Sequence, residues 1–228
     1  MKLKAILFDH DGTMVDSEMV HYRLWEKILK SYDISLTLED YVKYHAGIPT
    51  PLNAQRMAGK VGLAGIAASR LIDDKNIATT TWLSNHYFPL MPNVRETLDY
   101  FFKKGLSLAI VTGAGFEGVH STVTAHGLSD YFTTIVSGDN VENSKPAPDC
   151  YLLAAKKLGL SPGQCIAVED TENGVLAANL ATIPCIAVAS EMSKSHDFSR
   201  AIVTCTNLLD ARNWIVKNYD LESESVYP

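Results

Sequence analysis

The sequence predicts an α/β fold, a doubly wound parallel sheet with an α-helical domain inserted near its start. Three observations carry that reading. Short apolar runs alternate with segments of helical period, the signature of strands joined by crossover helices. The runs are apolar almost throughout, as strands covered on both faces require. Finally, roughly seventy residues after the first run contain no second one, far more than a crossover needs.

Strands are expected at Lys4–Phe8, Ser107–Val111, Thr133–Val136, Cys165–Val168 and Pro184–Val188, with a shorter sixth at Ile202–Cys205. Among the helices between them, Asn93 is placed to cap one whose Val94, Leu98, Phe101 and Phe102 share a face and which stops at Gly105. A second runs from Phe116 through Val119 and Val123 to Gly127. A third carries Tyr151, Leu152, Ala155 and Leu158 and stops at Gly159. The fourth, Gly174–Ala181, is rich in alanine and so permits close approach to the sheet. In the insert, Val20, Leu24, Trp25, Ile28 and Leu29 fall on one helix face, and Ala64–Leu71 is a further helical stretch. The α/β core is therefore assigned to residues 1–16 and 91–228, and the helical cap to 17–90. The closing LESESVYP is expected to fray or lie on the surface.

The bulk numbers exclude several classes. A chain of 228 residues with a net charge of -6 and scattered Lys and Arg has no electrostatic footprint for nucleic acid. No stretch is long enough to span a membrane. The first apolar run ends at Asp9, too early for a secretory signal. Cys150, Cys165, Cys185 and Cys205 include no CxxC, and two lie in strand-like runs, where a thiol acts as a small hydrophobe. A cytoplasmic monomer is the expectation, with neither nucleic acid nor membrane as partner.

Open parallel sheets bind ligands at the carboxyl ends of their strands, and four polar sets fall there. Asp9 and Asp11 follow LKAILF; Thr112 and Gly113 follow LSLAIV; Lys145 lies in the loop after TTIV; Glu169 and Asp170 follow CIAV. Carboxylates suit a hard cation such as Mg2+. The hydroxyl, the glycine N–H groups and the ammonium suit phosphate oxygens. In a strand, residues i and i+2 share a side, so Asp9 and Asp11 face one site while His10 points away. Gly12 then lets the chain turn sharply. One carboxylate can attack phosphorus while the other moves a proton.

DHDGTMVDSE, VTG, KPAPD and VEDTENGVLAA occur in that order. With them the chain resembles a haloacid dehalogenase-type phosphatase with a Rossmann-like core and an α-helical cap. It is similar to the branch holding β-phosphoglucomutase and small sugar-phosphate phosphatases. The resemblance spans Lys4 to Ala189. It implies Asp9 as nucleophile and metal ligand, and Asp11 as general acid–base that lends its backbone carbonyl to Mg2+. It also implies that Thr112, Gly113 and Lys145 hold the phosphoryl group, while Asp170, supported by Glu169, ligates the metal.

Some residues depart from that pattern. His10 stands where an apolar residue is usual, and Ser144 where Gly often precedes the lysine. In the cap, Glu18, His21 and Trp25 share a helix face; His21 is a candidate substrate contact and Trp25 belongs to the cap core. The segment HAGIPTP lacks the serine-arginine pair with which the mutases anchor a second phosphate, although Arg56 and Lys60 follow.

The expected function is Mg2+-dependent hydrolysis of a small phosphate monoester, a sugar phosphate above all, through an aspartyl-phosphate. The alternative is a phosphosugar mutase of the β-phosphoglucomutase type. A dehalogenase would not need Asp11. A receiver-type signalling domain would carry its phosphorylated Asp beyond the first strand and no helical insert. A binding protein with an idle catalytic set is the last competitor.

Overall fold

The computed structural model describes residues 2–59 and 67–221, and the chain divides into two compact units. One is helical and comprises Asp16–Phe88 and Glu191–Ser195. The other, Met1–Val15, Pro89–Ser190 and His196–Pro228, holds the sheet.

The helical unit contains α1 (Ser17–Lys30), α2 (Leu38–Tyr44), α3 (Thr50–Ala58) and α4 (Ala68–Leu83). The Asp16 side chain accepts from the N–H of Met19 and caps α1, which groups Asp16 with the helices. Val20, Leu24, Trp25, Ile28 and Leu29 are all buried, as their spacing predicts. Trp25 and Leu29 pack with Tyr41, Ala54, Met57, Leu71 and Met192. Met192 explains why Glu191–Ser195 joins this unit, a membership that no pattern in the sequence announces. Of the expected helical stretch Ala64–Leu71, residues 64–66 lie outside the described residues, and α4 begins at Ala68.

The sheet unit contains β1 (Ala5–Phe8), β2 (Ser107–Val111), β3 (Phe132–Val136), β4 (Cys165–Glu169), β5 (Cys185–Val188) and β6 (Val203–Cys205). Its helices are α5 (Val94–Lys103), α6 (Phe116–Ala125), α7 (Asp149–Lys157), α8 (Glu172–Leu180) and α9 (Leu208–Asn218). The six strands run in the order β3-β2-β1-β4-β5-β6, every neighbouring pair parallel. This is the doubly wound sheet that the sequence predicts. Pro89 and Leu90 go with it because Leu90 bridges Val15.

One face of the sheet is lined by small residues, including Ala5, Ala109, Ala167 and Ala187. Against it pack Cys150, Tyr151, Ala154 and Ala155 of α7 and Val175, Ala177 and Ala178 of α8. Small side chains on both partners let helix and sheet approach closely. The alternate residues Ile6, Phe8, Leu108, Ile110, Ile166 and Val168 point to the other face and are equally buried.

Two helix readings need correction. Phe102 is 51% exposed and Leu152 45%, because each falls just outside the arc that the buried residues of its helix cover. Thr97 takes the place of Phe102 beside Val94, Leu98 and Phe101, and Ala154 that of Leu152. Asn93 holds the cap position with φ 64°, and its side chain makes no capping hydrogen bond. It is suited there by an asparagine's tolerance of left-handed backbone, not by capping.

Candidate active site

Strand order reverses between β1 and β4, which is where a doubly wound sheet opens a crevice at its carboxyl edge. Asp9 follows β1 directly, and its N–H donates to the carbonyl of Val168 on β4. Glu169 ends β4 and Asp170 follows it. All three carboxylates are buried, and a ligand oxygen from each lies within 4.8 Å of the others.

Two glycines make this crowding possible. A Cβ on Gly12 would fall 1.9 Å from Oδ2 of Asp170, and one on Gly174 would fall 1.9 Å from Oε2 of Glu169. Gly12 also has φ +78°, the sharp turn its position predicts. Thr13 donates its hydroxyl to Oδ1 of Asp170 at 3.4 Å.

Lys145 ties the carboxylates together. Its Nζ donates to Oδ1 of Asp9 at 2.5 Å, to Oε1 of Glu169 at 2.5 Å and to the carbonyl of Val111 at 2.8 Å. The loop after β3 thus reaches the ends of β1, β2 and β4 with one ammonium. All three of its hydrogens are engaged within the protein. What it offers a bound anion is therefore charge, beside Asp9, more than a free N–H. Tyr151 of α7 donates its hydroxyl to the same Glu169 oxygen at 2.6 Å. The helical pattern puts Tyr151 on the buried face, and a buried tyrosine hydroxyl needs a polar partner; which partner is a matter of tertiary packing.

The electrostatics follow from this enclosure. Burial pushes the Asp9 carboxyl up to about 7; Lys145 opposes the rise, while Glu169 and Asp11 add to it. Burial works against the Lys145 ammonium too, but Asp9 and Glu169 outweigh it and hold the group protonated. Asp9, Glu169 and Asp170 against one ammonium leave two negative charges when all are ionised. Hard oxygen donors with that deficit fit a divalent cation of the Mg2+ type.

The Thr112 Oγ1 accepts from the N–H of Ala114 at 3.0 Å and shapes the turn after β2. Gly113 is exposed in that turn, and a Cβ on it would come 3.2 Å from Oγ of Ser144. The bare glycine backbone therefore lies beside the loop that carries Lys145.

Asp11 is placed differently from its neighbour. Its side chain is 33% exposed, and it is not among the three clustered carboxylates. Strand alternation would turn His10 away from the side that Asp9 and Asp11 share, but β1 ends at Phe8 and alternation stops with it. The His10 ring is buried, with Nδ1 3.3 Å from Oδ2 of Asp11. Its pKa is raised: burial works against the cation, but Asp11 and Asp9 together outweigh burial.

His21, the candidate substrate contact, lies on α1 in the helical unit. Lys75 of α4 donates to its Nδ1 at 3.0 Å and to Oγ1 of Thr79 at 3.0 Å, so a neutral His21 carries its proton on Nε2. The ring also meets Phe88 edge-on at 5.5 Å between centroids. Sequence reasoning missed Lys75. It sits four residues after the buried Leu71, at an apolar position of α4, and that misfit was the available signal. Burial lowers its pKa to about 8, with Glu18 opposing. Glu18 itself accepts from the Tyr41 hydroxyl at 2.7 Å.

Comparison with known proteins places this geometry. A family model described as haloacid dehalogenase-like hydrolase matches residues 6–188. Over 212 residues the chain is 32% identical to protein CbbY of Rhodobacter capsulatus, covering 88% of this chain and 92% of that protein. It is 30% identical over 186 residues to the fructose-1-phosphate phosphatase YqaB of Escherichia coli, covering 81% and 95%. Among solved structures, CbbY from Rhodobacter sphaeroides in complex with phosphate matches with a TM-score of 0.72 and 25% identity, over 90% of this chain and 95% of that one.

Proposed function

The chain belongs to the haloacid dehalogenase-like hydrolases and is a phosphatase, and we propose that it hydrolyses small sugar phosphates through a phosphorylated Asp9. The observation that carries the reading is the buried Asp9–Lys145–Glu169 triad at the switch point of the sheet. A carboxylate held there beside a fixed cation is a nucleophile prepared for an anionic substrate. The fructose-1-phosphate phosphatase among the relatives supports a sugar phosphate as the class.

Asp9, Asp170, Glu169 and the backbone carbonyl of Asp11 would hold Mg2+, whose charge offsets the repulsion between carboxylate and phosphate. Asp9 attacks phosphorus and displaces the ester oxygen, and Asp11 gives that oxygen its proton. Water then attacks the phosphorus of the acyl phosphate, Asp11 takes the water's proton, and Asp9 is released with inorganic phosphate. The Thr112 hydroxyl and the Gly113 N–H hold equatorial oxygens, and Lys145 supplies charge beside them. His21 stays a proposed substrate contact, as its place in the sequence suggests.

Purified protein with Mg2+ should release phosphate fastest from phosphorylated sugars when screened against a panel of phosphorylated metabolites. Failure to turn over any member of the panel, and p-nitrophenyl phosphate as well, would refute the proposal.

A further inference from the structure

His10 stands between the two aspartates of the proposed mechanism, which has no use for a histidine there. The ring is 2% exposed. Its Nδ1 meets Oδ2 of Asp11 at 3.3 Å, and its Nε2, also buried, has no hydrogen-bond partner among the described residues. As an imidazolium the ring donates from Nδ1 in any case, and when it is neutral the two nitrogens together locate its proton. A proton on Nε2 would bury an N–H without an acceptor and turn the Nδ1 lone pair toward a carboxylate oxygen, and both are costly. With the proton on Nδ1, the ring donates to Asp11 and leaves only a lone pair unpartnered.

Asp11 is less enclosed than Asp9. Its side chain is 33% exposed, against 9% for Asp9, so a hydrogen bond that fixes its orientation has more to do. A general acid must keep its proton aimed at the departing oxygen, and small misplacements cost rate steeply. We propose that His10 is a positioning residue for Asp11: its Nδ1–H grips Oδ2 and so sets the direction in which Oδ1 presents the proton. This inference rests on the acid–base role given to Asp11 above.

The acid matters most when the leaving group is poor. Phenyl phosphate needs its oxygen protonated as it departs, whereas p-nitrophenolate leaves largely unaided. Measured as kcat/KM, the comparison reports only steps up to formation of the phosphorylated enzyme. His10→Leu should lower kcat/KM about tenfold on phenyl phosphate, the loss of one hydrogen bond to a charged group, and leave p-nitrophenyl phosphate within about threefold. His10→Asn places an N–H donor as many bonds from Cβ as Nδ1 and should restore phenyl phosphate turnover to within about threefold of wild type.

Equal losses on both substrates, no loss on either, or failure of His10→Asn to rescue would overturn the inference. Asp11→Asn serves as the control. If it does not shift the ratio of the two substrates, the acid–base reading itself fails; if it does and His10→Leu does not, only the inference about His10 fails. Should His10→Leu not fold, the imidazole nitrogens of the Mg2+-loaded wild-type protein decide the matter. Nitrogen-15 NMR should show His10 protonated on Nδ1, and a ring protonated on Nε2 alone would overturn the inference.

Discussion

Lys145 and Asp9 form an ion pair at 2.5 Å in which each side chain is only 9% exposed. The pair is not isolated, because the same ammonium is 2.5 Å from Glu169. Removing it would leave two buried carboxylates facing each other without a cation. Lys145→Ala should therefore lose activity by about a hundredfold or more, the scale of deleting one transition-state donor. In the absence of Mg2+ it should also lose about 3–5 kcal/mol of stability, as broken buried pairs do. Activity within threefold of wild type would confine Lys145 to a structural role.

Asp9→Asn should abolish turnover and leave the fold intact. An amide is a poor nucleophile toward phosphorus and a weaker metal ligand. A loss of three or more orders of magnitude, about 4 kcal/mol or more of transition-state stabilisation, is expected. Retention of a tenth of wild-type activity would remove Asp9 as nucleophile.

The same residue gives a pH signature. Burial first, then Glu169 and Asp11, raise the Asp9 carboxyl from 3.8 to about 7 against the pull of Lys145. The folded chain then holds this proton more tightly than the unfolded one. The resulting stabilisation is complete below about pH 4 and is lost as pH rises through about 7. With EDTA present, the Tm of wild type should fall between pH 5 and pH 8 by more than that of Asp9→Asn, which has no such proton to lose. A wild-type Tm that rises over this range relative to the variant would contradict the assignment.

Metal dependence is the prediction that the three clustered carboxylates make. Activity should require Mg2+ and be inhibited by Ca2+, which takes more ligands at longer range and would misplace nucleophile and phosphate. Full turnover in excess EDTA would refute the role given to Asp9, Glu169 and Asp170.

What was legible in the sequence was whatever a local pattern encodes. Apolar runs gave the strands to within one residue at either end. The polar residues at their ends put Asp9, Asp11, Thr112, Gly113, Lys145, Glu169 and Asp170 in one group, of which Asp9, Glu169 and Asp170 cluster and Lys145 joins the first two. Three-dimensional packing encoded the rest. Lys75 is buried at an apolar position because His21 and Thr79 receive its hydrogens. Tyr151 reaches Glu169 from a helix whose period shows only which way it faces. His10 meets Asp11 because the strand has already ended, a boundary that alternation does not register. Glu191–Ser195 groups with the helices through Met192, a long-range contact with no sequence signature.

The last prediction separates hydrolysis from phosphoryl transfer within a sugar. Both routes phosphorylate Asp9 and differ in what accepts the group. A mutase must bind a sugar bisphosphate and turn it round, so it needs a cationic anchor for the phosphate that is not reacting. The turn Gly47-Ile48-Pro49-Thr50 carries no such residue. It is fixed instead by Asn53, which is buried and donates to the carbonyls of His45 and Ile48 at 2.8 and 3.0 Å. Arg56 on α3 already donates to the carbonyl of Tyr44 at 3.1 Å, and Lys60 lies outside the described residues. With water as the dominant acceptor, β-glucose 1-phosphate primed with a trace of the 1,6-bisphosphate should give free glucose and phosphate, or no reaction. Glucose 6-phosphate accumulating much faster than inorganic phosphate would overturn the phosphatase assignment. Arg56→Ala and Lys60→Ala would then show which side chain serves as the anchor, since only its loss should suppress the transfer.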